Sequence, residues 1–232
     1  MGASLNANST NHICRSSYSP ELRFRKPKVY MMSDDCKAVV RTSYAWGPNM
    51  RYELAIALST ETDGLTVNEI YEYFDHHMRK GTIENFLLEL KEEGHVHVNE
   101  EANPQKFSLS LMDRWLFESE DRRGIIRRFY DNVIINPPFS EGRPLLGMVL
   151  YENGSRRDRM MTIEDLHNST NIPSSIISQD MDALSSKNIV EINLDEERSN
   201  SHLHRMTKSG SMLFTKGIHL GQAYNEMQAD LS

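Results

Sequence analysis

Apolar positions recur at helical spacing along the chain and then switch to alternation. Asn49 to Ser59 is apolar at Met50, Leu54, Ala57 and Leu58, the interval of three to four residues that one helix face requires. Thr66 opens a second short helix with Val67, Ile70, Tyr71 and Phe74 inward. Thr82 opens a third, with Ile83, Phe86, Leu87 and Leu90 on one face, and Gly94 follows Glu93 as a helix-ending glycine. His95 to Asn99 then alternates polar and apolar, as a half-buried strand does. Asn103-Pro104 marks a turn, Phe107 to Leu111 alternates again, and a long amphipathic helix is expected over 111–132.

The same pattern returns about 95 residues later. Thr66-Val67-Asn68-Glu69-Ile70 matches Thr162-Ile163-Glu164-Asp165-Leu166 at an offset of 96. Each Thr is followed three residues on by an acid, the capping-box arrangement, with Asp165 in place of the preferred Glu or Gln. Ile83, Leu87, Leu90 and Gly94 to Asn99 match Ile177, Met181, Leu184 and Asn188 to Asn193 at an offset of 94. Leu109-Ser110 and Leu116-Phe117 match Met206-Thr207 and Leu213-Phe214 at an offset of 97. The slips fall in expected loops, where length changes are tolerated. In the second copy the helices are expected at Leu145–Glu152, Thr162–Ser169 and Ser174–Lys187. The strands are expected at Ile189–Asn193 and His202–Met206, with a final helix from Thr207. Two copies are too few for a solenoid.

Helix, helix, helix, strand, turn, strand, helix is the order of a winged helix-turn-helix. His204-Arg205-Met206-Thr207-Lys208-Ser209-Gly210 resembles the wing-to-helix transition of MarR- and PadR-like winged-helix regulators, where Leu-Thr-x-x-Gly is common. The first copy departs from that pattern, carrying Asp113 where the second has Gly210. The resemblance covers residues 50–230 in outline. It implies a mainly α fold with small β-hairpin wings, two tandem winged-helix domains joined by a long helix. The expected division is a flexible basic arm over 1–36, a first domain with the linking helix over 37–132, and a second with a C-terminal helix over 133–232.

Charge refines this picture. The 232-residue chain has 26 Lys and Arg against 33 Asp and Glu, a net of −7. Residues 1–36 hold five bases and three acids, 37–132 hold 12 and 17, and 133–232 hold nine and 13. The segments therefore carry +2, −5 and −4, and the arm is the basic part. An acidic total argues against a simple nucleic-acid binder, so any DNA contact must be local.

The resemblance implies that the third helix of each copy enters the major groove while the wing meets phosphates. That singles out Arg79, Lys80, Thr82 and Asn85 in the first copy and Ser174, Ser175, Ser178 and Gln179 in the second. Asn and Gln suit adenine edges, and Ser and Thr suit several bases. Lys106, Arg198, His202 and Arg205 are the wing candidates for phosphate. Further basic clusters are Arg23, Arg25, Lys26 and Lys28 in the arm, Arg122, Arg123, Arg127 and Arg128 on the linking helix, and Arg156 and Arg157, with Arg159, in a loop. All of these also fit ordinary solvated faces. Glu84, Glu89, Glu92 and Glu93 share the first copy's third helix, and Glu100-Glu101 and Asp195-Glu196-Glu197 share the wings, where they would repel phosphate.

Two functions stay open on these residues. One is double-stranded DNA binding, as a transcriptional regulator or replication initiator, in the cytoplasm with the nucleoid or in a eukaryotic nucleus. The other is a non-catalytic protein-interaction subunit whose partner has a basic face. The final helix, with Met212, Leu213, Ile218 and Leu220 interrupted by Gly217 and Gly221, suggests a homodimer by the same resemblance. No P-loop, GxSxG or HExxH pattern is present, so no enzyme is expected. No cofactor is expected. His95 with His97, and His202 with His204, share a strand side, but no third ligand converges on either pair, so no metal is expected. The aromatic residues Tyr44, Trp46, Tyr52, Tyr71, Tyr73 and Phe74 read as core. Cys14 and Cys36 show no paired spacing, and no apolar run reaches the length of a membrane span.

Overall fold

The structure, a computed structural model, describes residues 31–135, 140, 142–157, 160–195 and 201–230. The described chain is mainly helical with two small antiparallel hairpins. The helix α1 (Asp34–Trp46) leads into α2 (Asn49–Ser59), α3 (Val67–Tyr73) and α4 (Lys80–Glu92). The hairpin of β1 (Val96–Asn99) and β2 (Lys106–Leu109) follows, and then α5 (Leu111–Phe117). Next come α6 (Glu120–Phe129) and one π-helical turn, Tyr130–Ile134. The helices α7 (Arg143–Arg157), α8 (Ile163–Thr170) and α9 (Ser174–Ser186), the hairpin of β3 (Val190–Asp195) and β4 (Ser201–Met206), and the long α10 (Lys208–Asp230) repeat the earlier order.

The repeat extends to individual hydrogen bonds. Thr66 Oγ1 accepts from Glu69 N at 3.2 Å while Thr66 N donates to Glu69 Oε2 at 2.7 Å. Thr162 and Asp165 make the same reciprocal pair at 3.0 Å each way, so the shorter acid also closes the box. Leu65, just before α3, exchanges backbone bonds of 2.9 and 2.8 Å with Phe107 of β2. Met161, just before α8, does the same with His204 of β4 at 3.0 and 2.8 Å.

Three expectations change. The third helix of the first copy begins at Lys80, not at Thr82, because Arg79 holds the extended cap position and the Thr82 amide already bonds the Arg79 carbonyl at 2.9 Å. The linking helix is not continuous. Ser119 turns the backbone extended, and its hydroxyl accepts from Arg122 N to start α6. The segment ends in the π turn, whose Val133 and Ile134 carbonyls each lie 3.5 Å from Nη1 of the fully buried Arg143. Arg143 Nε donates to Asp180 Oδ1 at 2.9 Å, tying the π turn to α9. The first helix of the second copy runs on to Arg157, so Arg156 and Arg157 lie in its last turn rather than in a loop.

The helix α1 has no counterpart in the hydrophobic reading. It starts at Asp34, inside the segment read as arm, where the Ser33 hydroxyl accepts from Cys36 N at 3.3 Å. It lies along α10 at close range, because a Cβ on Gly221 would overlap the Asp35 carbonyl. Gly217 faces Phe129 and Val39, and Asn225 Nδ2 donates to Asp35 Oδ1 at 2.9 Å. The two glycines are therefore the crossing points of α1 and α10, and this face of the final helix is filled from within the chain. Phe129 and Phe214, both buried and 5.3 Å apart between ring centres, help join the two copies into one hydrophobic cluster. Burial of such a ring contributes about 1.5–3 kcal/mol.

Candidate nucleic-acid interface

The two third helices present different surfaces. On α9, Ser174, Ser175, Ser178 and Gln179 are all exposed; its first turn contains no acid, as on α4, and the exposed Asp182 follows one turn after Ser178. Pro173 occupies the cap without a side-chain bond; the Ile176 and Ile177 amides bond its carbonyl at 2.9 and 3.0 Å, which leaves the Ser174 and Ser175 amides to solvent or ligand. Small hydroxyls and an amide next to free backbone N–H groups suit phosphate oxygens and base edges.

On α4, Arg79, Lys80 and Asn85 are exposed and Thr82 is half-buried. Lys80 is engaged within the chain. Its ammonium donates to Asn68 Oδ1 at 2.6 Å and sits 4.8 Å from the centre of the Tyr71 ring. Glu84 and the exposed Leu88 line the same groove, which the hairpin closes with Pro104 and Gln105. Glu89, one turn on, is held by Arg51 at 2.5 Å. This face is mixed in charge and partly apolar.

The basic candidates divide in the same way. Arg122 stacks 4.3 Å from the Trp115 ring centre, and Arg123 donates to the Phe117 carbonyl at 3.0 Å. Arg127 bonds Asp131 at 2.9 Å, the Gly47 carbonyl at 2.8 Å and the Asn49 side chain. Only Arg128 of this cluster is exposed. The sequence offers no sign of these roles beyond the nearby aromatic residues. Lys106 is half-buried and its charge reaches Glu69, while Arg205 pairs with Glu191 across the second hairpin. His202 is exposed on β4. Arg23, Arg25, Lys26, Lys28, Arg159, Arg198 and the side chains of Arg156 and Arg157 lie outside the described residues.

A buried polar hub sits where β2 turns into α5. Asp113 is fully enclosed. Its Oδ1 accepts from Trp46 Nε1 at 2.7 Å and its Oδ2 accepts from Ser110 Oγ at 2.5 Å, with His95 Nδ1 at 3.1 and 3.2 Å from the two oxygens. Ser110 and His95 both bond the acid rather than each other. Ser110 and Asp113 are both buried, so these bonds hold the junction together from inside. The one signal of this hub in the sequence is the replacement of the expected glycine by Asp113. At the matching place in the second copy, Gly210 lies so close to the Ile189 carbonyl that any Cβ would overlap it.

No family model, curated protein or solved structure matches the chain. Among the described residues, no group of three or more His, Cys, Asp or Glu is placed to hold a metal ion. No helix there is long and apolar enough to cross a membrane.

Proposed function

We propose that the chain is a non-catalytic double-stranded DNA-binding protein built from two tandem winged helices, and that the second copy makes the base contacts through α9. The winged-helix reading is supported by the repeated element order and by the single bridging residue before α3 and α8, which ties each of these helix starts to the adjoining two-stranded hairpin. The observation that carries the DNA reading is the exposed set Ser174, Ser175, Ser178 and Gln179 on α9, with Ser178 at the place where α4 carries Glu84. Electrostatic attraction must then come from the basic arm and from exposed cations such as Arg128, Lys187 and Lys208, because the total charge is −7. Regulation of transcription is the simplest use of such contact.

A second reading has its own observation. The α4 groove sets exposed Leu88 beside Glu84, with Lys80 already bonded, a surface better suited to a protein with a basic, partly apolar face than to phosphates. The two readings concern opposite copies. Fluorescence anisotropy of the full chain with a library of labelled genomic duplexes, run from low to physiological salt, separates them. DNA binding predicts saturable binding with a steep negative salt slope. An absence of binding at low salt contradicts it and leaves the protein-partner reading.

A further inference from the structure

A crevice of about 460 Å³ opens between α1, the start of β1 and the last turns of α10. Its charged groups are largely matched. Asp34 at the rim is bonded by Lys37 at 2.8 Å, and Glu93 lies 3.7 Å from Arg51. Below the floor, Asp113 is bonded to three donors. Arg41 is the exception. Its guanidinium lines the crevice and makes no hydrogen bond or ion pair with any described residue. Tyr224 lines the same crevice and feels the charges of both Asp113 and Arg41, and burial pushes its hydroxyl up to about 12. It therefore keeps its proton near neutral pH and is a donor. The Nδ1 of His95 is taken by Asp113, so only Nε2 remains for a ligand.

The crevice does not end there. A second depression shares Ser110, Met112, Asn225 and Gln228 with it, and continues past Leu111 and Ala229 over a mainly apolar surface. Leu111 is 63% exposed although it opens a helix whose neighbours Met112 and Leu116 are buried. An unpaired cation with a neutral phenol at one end and the exposed Leu111 at the other defines the chemistry of the occupant. A carboxylate would take the Arg41 fork in bidentate fashion, and an alkyl or aryl body would cover Leu111.

We propose that this crevice binds an amphipathic organic anion, a carboxylate with a short apolar body, with its head on Arg41 and Tyr224 and its body against Leu111, Met112 and Ala229. The site is independent of the DNA reading. Calorimetric titration of the full chain with octanoate and with 3-phenylpropanoate tests it, using acetate and octanamide as controls. The expected result is saturable 1:1 binding of at least one of the two acids, with acetate and octanamide weaker by about tenfold or more. Arg41→Gln, a change at an exposed position, is expected to weaken that binding by a similar factor while leaving the melting temperature unchanged. Leu111→Ser is expected to weaken the acids and leave acetate unaffected. Absence of saturable binding by both acids overturns the proposal. So does equal binding of octanamide, or unchanged affinity in Arg41→Gln.

Discussion

Where its hairpin turns into the following helix, the first copy buries an aspartate and the second buries a glycine. The backbone is the same at both places. Ser110 N donates to the His95 carbonyl at 2.9 Å, and Thr207 N donates to the Ile189 carbonyl at 2.9 Å. Asp113 N bonds Ser110 Oγ at 3.1 Å, and Gly210 N bonds Thr207 Oγ1 at 3.0 Å. What differs is how the space beyond is closed. The second copy brings the helix against Ile189 until no side chain fits. The first admits a carboxyl and surrounds it with Trp46, His95 and Ser110. Close packing and a satisfied polar hub are thus two solutions to one junction, and the polar one draws α1 into the first copy through Trp46.

The widest separation of the two solutions comes from removing the hub. Asp113→Ala leaves a buried histidine, an indole N–H and a hydroxyl without their common acceptor, and is expected to cost about 3–5 kcal/mol in urea denaturation. Gly210→Ala places a Cβ against the Ile189 carbonyl and is expected to cost about 1–3 kcal/mol. If Gly210→Ala were the more damaging, the hub would be dispensable and the comparison would fail. The caps provide a control, since their geometry is shared. Thr66→Ala and Thr162→Ala are each expected to cost about 1 kcal/mol, and a large inequality would show that the copies do not fold on equal terms.

The smallest effect concerns pH. At the matching bridge position the first copy has Phe107 and the second has His204, both buried. Burial holds the His204 imidazole below its usual range, against a bond to the Met161 carbonyl that raises it. Its protonation is favoured in the unfolded chain, so the stability it permits is present above the unfolded value near 6.5 and declines as pH falls below it. Thermal melts from pH 7.5 to 5 are expected to show that decline. His204→Phe is expected to flatten it, and an unchanged profile in that variant would remove His204 as the cause.

Much of this could be read in the residues, and the gaps have physical reasons. Both Thr caps, the element order and the hairpins follow from short-range rules, and the structure places them where spacing and turn residues put them. The helix α1 escaped because its partners are distant in the chain: Val39 meets Gly217 of α10, about 180 residues on, and Trp46 meets Asp113. The division of the linking segment escaped because Ser119 acts as a cap only once the chain turns there. Charge was the least legible part. Arg122, Arg123 and Arg127 form a basic run in sequence, yet they stack on Trp115, bond the Phe117 carbonyl, and bond Asp131 and the Gly47 carbonyl. The asymmetry between α4 and α9 needed the fold, since Lys80 looks free until Asn68 and Tyr71 are beside it.

That asymmetry is the central claim, and paired charge insertion tests it most directly. Gln179→Glu and Asn85→Glu place one new carboxylate on the exposed face of α9 and of α4 respectively. Anisotropy titrations of both variants against the same bound duplex, at one salt concentration, are expected to show Gln179→Glu weaker by about tenfold or more and Asn85→Glu within about twofold of the unaltered chain. Loss of binding in Asn85→Glu with Gln179→Glu unaffected would contradict the account.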